Sequence, residues 1–200
     1  MTLRDVPAGV LHTRRNPLYP GHTLDGIIGT GLLMHFLATL DYCGGRLVLR
    51  PPSASAAFER DAAKTGANIV PMWLAGDHFI FARGRIEQGR EGLFSIDTGM
   101  AGGGLQATKA TLDDAGVAID ESRKLTGMGG GGPVTVIPFR AGATLGALTV
   151  ADVPGMYNPD GDQFGIFPFK VSGTLSHMFF RKTRLSFDFQ AMKLVTQGCG

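Results

Sequence analysis

The sequence predicts an all-β protein, and its glycine content is the first reason. Thirty of the 200 residues are glycine, which is about twice the usual share of ~7 %. Glycine favours turns and short strands over long helices. Short apolar segments also alternate with turn residues along most of the chain, as they do in β-proteins. With 44 % hydrophobic residues, the chain can bury a substantial core as one large domain or two small lobes.

Strands are predicted where an apolar segment ends at a turn. In the middle of the chain, the turns "GDH" and "QGRE" separate the predicted strands "IVPMWLA", "FIFARGRIE" and "GLFSID". Farther on, "PVTVIPFRAG" and "ATLGALTVADV" have the pattern of a β-hairpin. Short helices are expected near residues 31–37, 53–64 and 105–115, the last because "LQATKATLDDAG" ends at a glycine.

Charge and composition exclude several kinds of partner. The formal net charge is +2, and the basic residues are scattered, so neither nucleic acid nor an acidic membrane surface is expected as a partner. The longest mostly apolar segment, residues 26–40, is interrupted by glycines and by His35, and it is too short to span a bilayer. No stable membrane insertion is therefore expected.

Metal and cofactor sites are not expected either. The five histidines share no ligand spacing, and Cys43 and Cys199 form neither a metal-ligand pattern nor a disulfide framework. "GMGGGG" at 127–132 fits G-x-G-x-x-G, but Pro133 and a β-branched strand follow it instead of a helix. The sequence thus predicts no metal, no nucleotide and no other cofactor, and it leaves the redox compartment open.

The two ends of the chain resemble each other at an offset of 147 positions. Residues 25–49 align with residues 172–196 without a gap, and the apolar positions keep step. The matched residues include Gly26 with Gly173, Asp41 with Asp188, and "DVP" at 5–7 with "DVP" at 152–154. Two copies of one β-unit would produce such a pattern. The sequence therefore predicts a duplication.

The duplication suggests a domain organisation. Residues 1–50 are interpreted as the C-terminal part of a first lobe, residues 51–67 as a Pro/Ser/Ala-rich linker that becomes helix-like, and residues 68–200 as a complete second lobe. The first copy begins only at its last third. Most of a first lobe would then lie upstream, so we expect an amino-terminally truncated piece of a two-lobe protein. The alternative is a genuine short protein that starts at Met1.

The segment "LFSIDTG" at 93–99 carries the candidate chemistry. An apolar strand there delivers the carboxyl group of Asp97 into a tight turn, where the Thr98 hydroxyl can brace the loop and Gly99 lets backbone approach closely. Two such loops related by a twofold axis would place two carboxyls side by side, and the pair would share one proton. One carboxylate can then activate a water while its protonated partner polarises a peptide carbonyl.

At these residues the chain resembles the retropepsin-like aspartic peptidases of the pepsin/retropepsin clan, in the tandem two-lobe form found among bacterial proteins. "FSIDTGM" resembles the active-site signature of that family. "DGIIGTGLLMHFLATLDYCGGRLVL" is similar to a later element of the family, in which an apolar-apolar-Gly segment packs behind the active-site loop and a helix and a strand follow. The resemblance covers residues 2–50 and again about residues 68–197.

The resemblance implies a fold and a set of site residues. The lobes are expected to be closed aspartic-protease-like barrels with short helices, and Asp97 is expected to be catalytic, with Thr98 and Gly99 as its loop. The expected substrate-binding flap consists of Gly127, Met128, Gly129 and Gly130. The sequence departs from the family pattern at three places: Met100 follows the signature, Ser176 stands where the first copy has Gly29, and the flap is rich in glycine.

Two functions follow from this interpretation. The first is an aspartic endopeptidase, a hydrolase of peptide or protein substrates, in which Asp97 supplies one carboxyl and the other lies upstream of this chain. Such a chain is expected to be inactive alone. Its lobes would pair within one polypeptide, with a homodimer as the other arrangement. The second function is a non-catalytic peptide-binding pseudo-peptidase lobe. The compartment stays open, although an upstream signal peptide would imply a periplasmic or secreted protein.

Overall fold

The computed structural model describes residues 26–76, 78–129, 132–161 and 164–199. Strands dominate these residues and the helices are short, so the predicted all-β class is confirmed. The strands are β1 (Leu37–Asp41), β2 (Arg46–Arg50), β3 (Asn68–Pro71), β4 (Trp73–Ala75), β5 (Phe79–Ile86), β6 (Gly92–Ile96), β7 (Leu105–Ala107), β8 (Leu125–Gly129), β9 (Gly132–Leu145), β10 (Leu148–Tyr157), β11 (Gly173–Leu175), β12 (Thr183–Asp188) and β13 (Lys193–Gly198). The helices are α1 (Thr30–Leu33), α2 (Ser55–Lys64), α3 (Lys109–Asp114) and α4 (His177–Phe180).

Eight strands form a sheet that closes into a barrel. Their order is β4-β5-β6-β11-β7-β10-β9-β8, and β9 pairs back onto β5. Because β9 pairs with β5, six strands form a closed ring without free edges. They are β5, β6, β11, β7, β10 and β9. Ile86, Phe94, Leu105 and Leu145 are buried in the core of the barrel. The predicted closed barrel is therefore present in residues 73–175.

The short strand β11 determines how the site is arranged. It lies between β6, to which it runs parallel, and β7, to which it runs antiparallel. A Cβ atom on Gly173 would overlap the carbonyl oxygen of Gln106, so only glycine lets the strands approach this closely. Because Leu175 lies opposite Ile96, the chain leaves β6 and β11 at neighbouring points on the same end of the barrel.

A second sheet joins the two ends of the chain. Its order is β2-β1-β12-β13-β3, and every pairing is antiparallel. At the centre of the β1–β12 pairing, Thr39 lies opposite Ser186, and their buried hydroxyl oxygens are 2.8 Å apart. These two residues are 147 positions apart, the offset that relates the two copies in the sequence. The two similar segments therefore face each other across the middle of the sheet in equivalent places.

Three short helices were predicted, whereas the described residues contain four α-helices, because helix α4 was not predicted; the boundaries also differ in places. The segment 105–115 begins with strand β7 and only then forms α3, because Leu105 and Ala107 are buried between β10 and β11. Pairing on both sides of that strand outweighs the local helical pattern. Thr108 caps α3 by accepting a hydrogen bond from the Thr111 N–H. The predicted linker at 51–67 contains a 3₁₀ turn at Pro52–Ala54 and helix α2.

The expectation of no disulfide was wrong. Cys43 and Cys199 are bonded to each other across a sequence separation of 156 residues. The sheet explains the pairing, since Asp41 lies opposite Arg184 on β12, and Thr183 lies opposite Gly198 on β13. The turn after β1 therefore meets the end of β13. The spacing of the two cysteines in the sequence gives no indication of that contact.

No helix among the residues that the structure describes is long and apolar enough to cross a membrane. The first part of the predicted first lobe, residues 1–25, lies outside the described residues, and so does the "DVP" match at 5–7.

Candidate active site

Strand β6 delivers Asp97 to the surface of the barrel. The last three residues of the strand, Phe94, Ser95 and Ile96, are buried, whereas Asp97 itself is exposed. The Asp97 N–H donates to the carbonyl oxygen of Leu175 at 3.1 Å, which extends the β6–β11 pairing by one residue. The carboxyl group thus follows directly from a strand that packing holds in place.

The turn after Asp97 is built around its carboxylate. The N–H of Gly99 donates to Asp97 Oδ1 at 2.9 Å, and the N–H of Met100 donates to the Asp97 carbonyl oxygen at 3.3 Å. A Cβ on Gly99 would lie 3.3 Å from the same Oδ1, so glycine leaves this turn unstrained. Thr98 is half-buried and Gly99 is exposed. The structure therefore places the three predicted residues together in one tight turn.

The charge of Asp97 is not neutralised by a basic side chain of the described residues. No lysine, arginine or histidine among the described residues forms an ion pair with it, and its Oδ1 is held by a backbone N–H alone. This differs from Asp41 and Asp152, whose carboxylates pair with Arg46 and Arg140. An exposed carboxylate without a cationic partner is available to a ligand.

Four hydrogen bonds hold the loop from Asp97 to Gly104 against its neighbours. Besides the Asp97–Leu175 contact, the Gly104 N–H donates to the Pro154 carbonyl oxygen at 2.8 Å, and the Ser176 N–H donates to the Gly104 carbonyl oxygen at 2.9 Å. The Ser176 hydroxyl donates to the Met100 carbonyl oxygen at 3.0 Å. Sequence reasoning treated Ser176 only as a departure from a family pattern and missed this contact.

Gly104 has no room for a side chain. A Cβ there would lie 2.7 Å from Val153 Cγ1 and 2.8 Å from the backbone nitrogen of Phe179. The end of the loop therefore packs directly on β10 and on the first turn of α4. The run of glycines at 102–104 gives the loop its close fit to these two elements.

The predicted flap residues lie on a β-hairpin. Gly127, Met128 and Gly129 belong to β8, which pairs with β9, and Gly129 lies opposite Gly132. Gly130 lies outside the described residues. No hydrogen bond within the described part of the chain joins β8 to the Asp97 turn. The hairpin is present, and its role as a substrate-binding flap stays a prediction.

A groove of about 970 Å³ lies elsewhere on the barrel. Its lining includes Leu93 and Ser172, which precede the paired residues Phe94 and Gly173 of β6 and β11. Asp97 follows the other end of β6 and does not line this groove. The groove and the Asp97 turn therefore lie at opposite ends of the same two strands.

Metal binding finds no support in the described side chains. No group of three or more His, Cys, Asp or Glu residues among them could hold a metal ion. The chemistry available at the Asp97 turn is that of a carboxyl group and backbone N–H groups.

No family model and no curated protein matches the chain. The solved structures similar to it include two of low identity. A retropepsin-like aspartic protease from Rickettsia conorii is 12 % identical, with 66 % of this chain and 88 % of that chain covered and a TM-score of 0.45. Basic 7S globulin from soybean is 11 % identical, with 76 % of this chain and 47 % of that chain covered and a TM-score of 0.40. Function is therefore inferred from the Asp97 turn and its place in the barrel.

Proposed function

We propose that this chain contributes one carboxyl, that of Asp97, to the active site of an aspartic endopeptidase. Thr98 and Gly99 form its loop. One observation carries the proposal: Asp97 is exposed at the end of a buried barrel strand, lacks a basic partner among the described residues, and is held by the Gly99 N–H. Asp120 is also exposed and accepts the N–H two residues on, so a turn-capping carboxylate alone is ordinary turn chemistry. Asp97 differs because it continues the buried barrel strand β6 and its own N–H pairs with Leu175 of β11.

The proposed chemistry needs a second carboxyl. Two carboxyls in contact cannot both ionise, so they share one proton. The ionised group then removes a proton from water, and the protonated group donates a hydrogen bond to the scissile carbonyl. No other carboxyl group among the described residues hydrogen-bonds to Asp97. The isolated chain is therefore expected to be inactive.

We propose that the second carboxyl comes from a first lobe encoded upstream, which makes the complete protein a tandem two-lobe peptidase. The support is the exposure of Ile27 and Ile28, which correspond by the 147-residue offset to Thr174 and Leu175 of β11. In the second copy, β6 and β7 cover the equivalent residues. A strand like β6 lying over Ile27 and Ile28 would end in a second aspartate loop. A homodimer that joins two Asp97 turns is the competing arrangement.

The substrate proposed is a peptide or protein in extended form, covered by the β8–β9 hairpin that carries the predicted flap residues Gly127, Met128 and Gly129. No cofactor, nucleic acid or membrane lipid has a role in this mechanism. The Cys43–Cys199 disulfide favours an oxidising compartment, so a periplasmic or secreted location is proposed.

A second candidate function is a peptide-binding lobe without catalysis. It is favoured by the single Asp-Thr-Gly turn among the described residues and by the departures at Met100 and Ser176. In that case an extended peptide would bind beside the same turn, and no bond would be cleaved.

The test compares three proteins on a denatured protein substrate between mildly acidic and neutral pH. These are the polypeptide extended upstream in its reading frame, the chain described above, and the extended polypeptide carrying Asp97→Asn. Asp97→Asn is expected to lower kcat by about 10²- to 10⁴-fold, whereas the control Asp61→Asn, an exposed aspartate on α2, is expected to leave it unchanged. Vigorous cleavage by the monomeric chain, or full activity of Asp97→Asn, would overturn the proposal.

A further inference from the structure

Ser176 is buried at the start of helix α4 but does not cap that helix. It occupies the N-cap position, and its side chain is fully buried. A serine at this position normally accepts a hydrogen bond from a backbone N–H in the first turn. Here no such hydrogen bond is formed. The Ser176 hydroxyl is therefore used for something other than helix capping.

The hydroxyl is directed at the loop that carries Asp97. It donates to the Met100 carbonyl oxygen at 3.0 Å, and its oxygen lies 3.3 Å from His177 Nδ1. The N–H of the same Met100 donates to the Asp97 carbonyl oxygen. The peptide groups of Met100 thus connect Ser176 directly to the aspartate turn.

The rest of the loop is held only near its ends. Asp97 is fixed by Leu175, and Gly104 is fixed by Pro154 and by the backbone of Ser176. Between these ends, the Ser176 hydroxyl provides the one side-chain hydrogen bond to the loop from outside it within the described residues. Removal of the hydroxyl would leave the middle of a glycine-rich loop without that restraint.

The first copy of the repeat has a different residue at this place. Gly29 occupies the N-cap of α1, as Ser176 occupies that of α4, and a Cβ on Gly29 would meet no atom within 4 Å. The serine is therefore not required by the helix start itself. It accompanies the Asp97 loop of the second copy, which has no counterpart among the described residues of the first copy.

We infer that Ser176 is a positioning residue for the Asp97 turn. The inference rests on the proposed function only for its catalytic consequence, because the positioning itself is a property of this chain. The hydroxyl fixes the Met100 peptide, and the Met100 N–H fixes the backbone from which the Asp97 carboxyl projects. A carboxyl that must meet a second carboxyl and a water is sensitive to such small displacements.

The first experiment measures amide hydrogen exchange in the chain itself. Ser176→Ala is expected to speed exchange of the segment 97–104 by about five-fold, the effect of losing one buried hydrogen bond. The matched control is Ser186→Ala, which removes a buried hydroxyl paired with Thr39 far along the chain from the loop. It is expected to leave the exchange of 97–104 unchanged. If Ser176→Ala does not fold, Ser176→Gly, which introduces the residue found at position 29, replaces it.

The second experiment measures kcat and KM of the upstream-extended polypeptide. Ser176→Ala is expected to lower kcat about ten-fold with little change in KM, and Ser176→Thr, which keeps the hydroxyl, to restore most of it. Unchanged exchange of 97–104 in Ser176→Ala, or equal changes in Ser176→Ala and Ser186→Ala, would overturn the inference. An active Asp97→Asn variant would instead overturn the proposed function and leave the exchange result standing.

Discussion

The segments 26–50 and 173–197 contain similar elements but differ in how their beginnings are buried. Helices α1 and α4 begin 147 positions apart, and the hairpins β1–β2 and β12–β13 follow them at the same offset to within one residue. Before the helix the two segments differ. Ile27 and Ile28 are 73 % and 61 % exposed, whereas the corresponding residues Thr174 and Leu175 are 3 % and 1 % exposed.

This difference in burial shows which elements form from local sequence and which need neighbouring strands. The short helix and the hairpin form in both segments, so local sequence and their shared sheet are sufficient for them. The strand β11 forms only where β6 and β7 lie on either side of it. A strand of three residues has too few hydrogen bonds to be stable without such neighbours. The exposure of the two isoleucines is therefore expected at a place where the neighbouring strands are not among the described residues.

The largest expected effect comes from a matched pair of glycine substitutions in the two segments. Gly173→Val places side-chain atoms against the Gln106 carbonyl oxygen and is expected to prevent folding or to cost at least about 4 kcal/mol. Gly26→Val meets no atom within 4 Å and is expected to change stability by less than about 0.5 kcal/mol. Urea unfolding followed by circular dichroism measures both. Equal effects would mean that the two glycines occupy similar surroundings.

The disulfide ties the two segments together and gives the second prediction. It joins the turn between β1 and β2 to the end of β13. Replacing both Cys43 and Cys199 by serine is expected to cost about 2–5 kcal/mol, because the cross-link restricts a long loop in the unfolded chain. Thermal unfolding with and without dithiothreitol is the measurement. The reductant should lower the Tm of the parent chain and leave that of the double variant unchanged; a parent Tm that does not respond would contradict the structural role.

The two equivalent aspartates give a third, pH-dependent comparison. Asp41 and Asp188 are both buried, and each accepts the N–H of the residue three positions on, Gly44 or Ala191. Their side-chain partners differ: Asp41 pairs with Arg46, whereas Asp188 accepts a hydrogen bond from the Ser55 hydroxyl. Arg46, and then the Gly44 N–H, hold the pKa of Asp41 below its ordinary value of 3.8.

A lowered pKa stabilises the folded state above the unfolded value, and the stabilisation disappears as the pH falls through the folded value. The urea midpoint of the parent chain is therefore expected to drop below about pH 4, and Asp41→Asn is expected to reduce that drop. The control is Asp152→Asn, because Arg140 also lowers the pKa of Asp152 but this carboxylate is exposed and screened by solvent. A larger change in the control than in Asp41→Asn would contradict the argument.

Much of this architecture could be predicted from residues that are close in sequence. The strand-turn pattern predicts the all-β class, and "LFSIDTG" predicts an aspartate at the end of a buried strand, which is where Asp97 lies. The predicted offset of 147 also recurs in the register of the second sheet, where Thr39 faces Ser186. Periodicity and turn chemistry are local signals, and they are strong here because the strands are short and bounded by glycine.

The disulfide, strand β7 and the Ser176 contact, which the sequence did not predict, depend on contacts between distant residues. The disulfide needs the neighbourhood of β1, β12 and β13. Strand β7 replaces the start of a predicted helix because β10 and β11 pair with Leu105 and its neighbours. The Ser176 hydroxyl reaches a carbonyl 76 positions away. None of these contacts has a local pattern that could have indicated it.

The smallest effect on the stability of this chain is expected at the exposed residues Ile27 and Ile28, where the two segments differ most in burial. Replacing both by serine should change the stability of this chain by less than about 0.5 kcal/mol, because little apolar surface is lost from the core. In the upstream-extended polypeptide the same change should cost about 1.5–3 kcal/mol for each side chain that becomes buried. The control Ile166→Ser, at a residue 70 % exposed, should be neutral in both proteins. Denaturant midpoints measure the difference, and a double serine variant that is equally neutral in the extended polypeptide would show that no upstream strands cover these isoleucines.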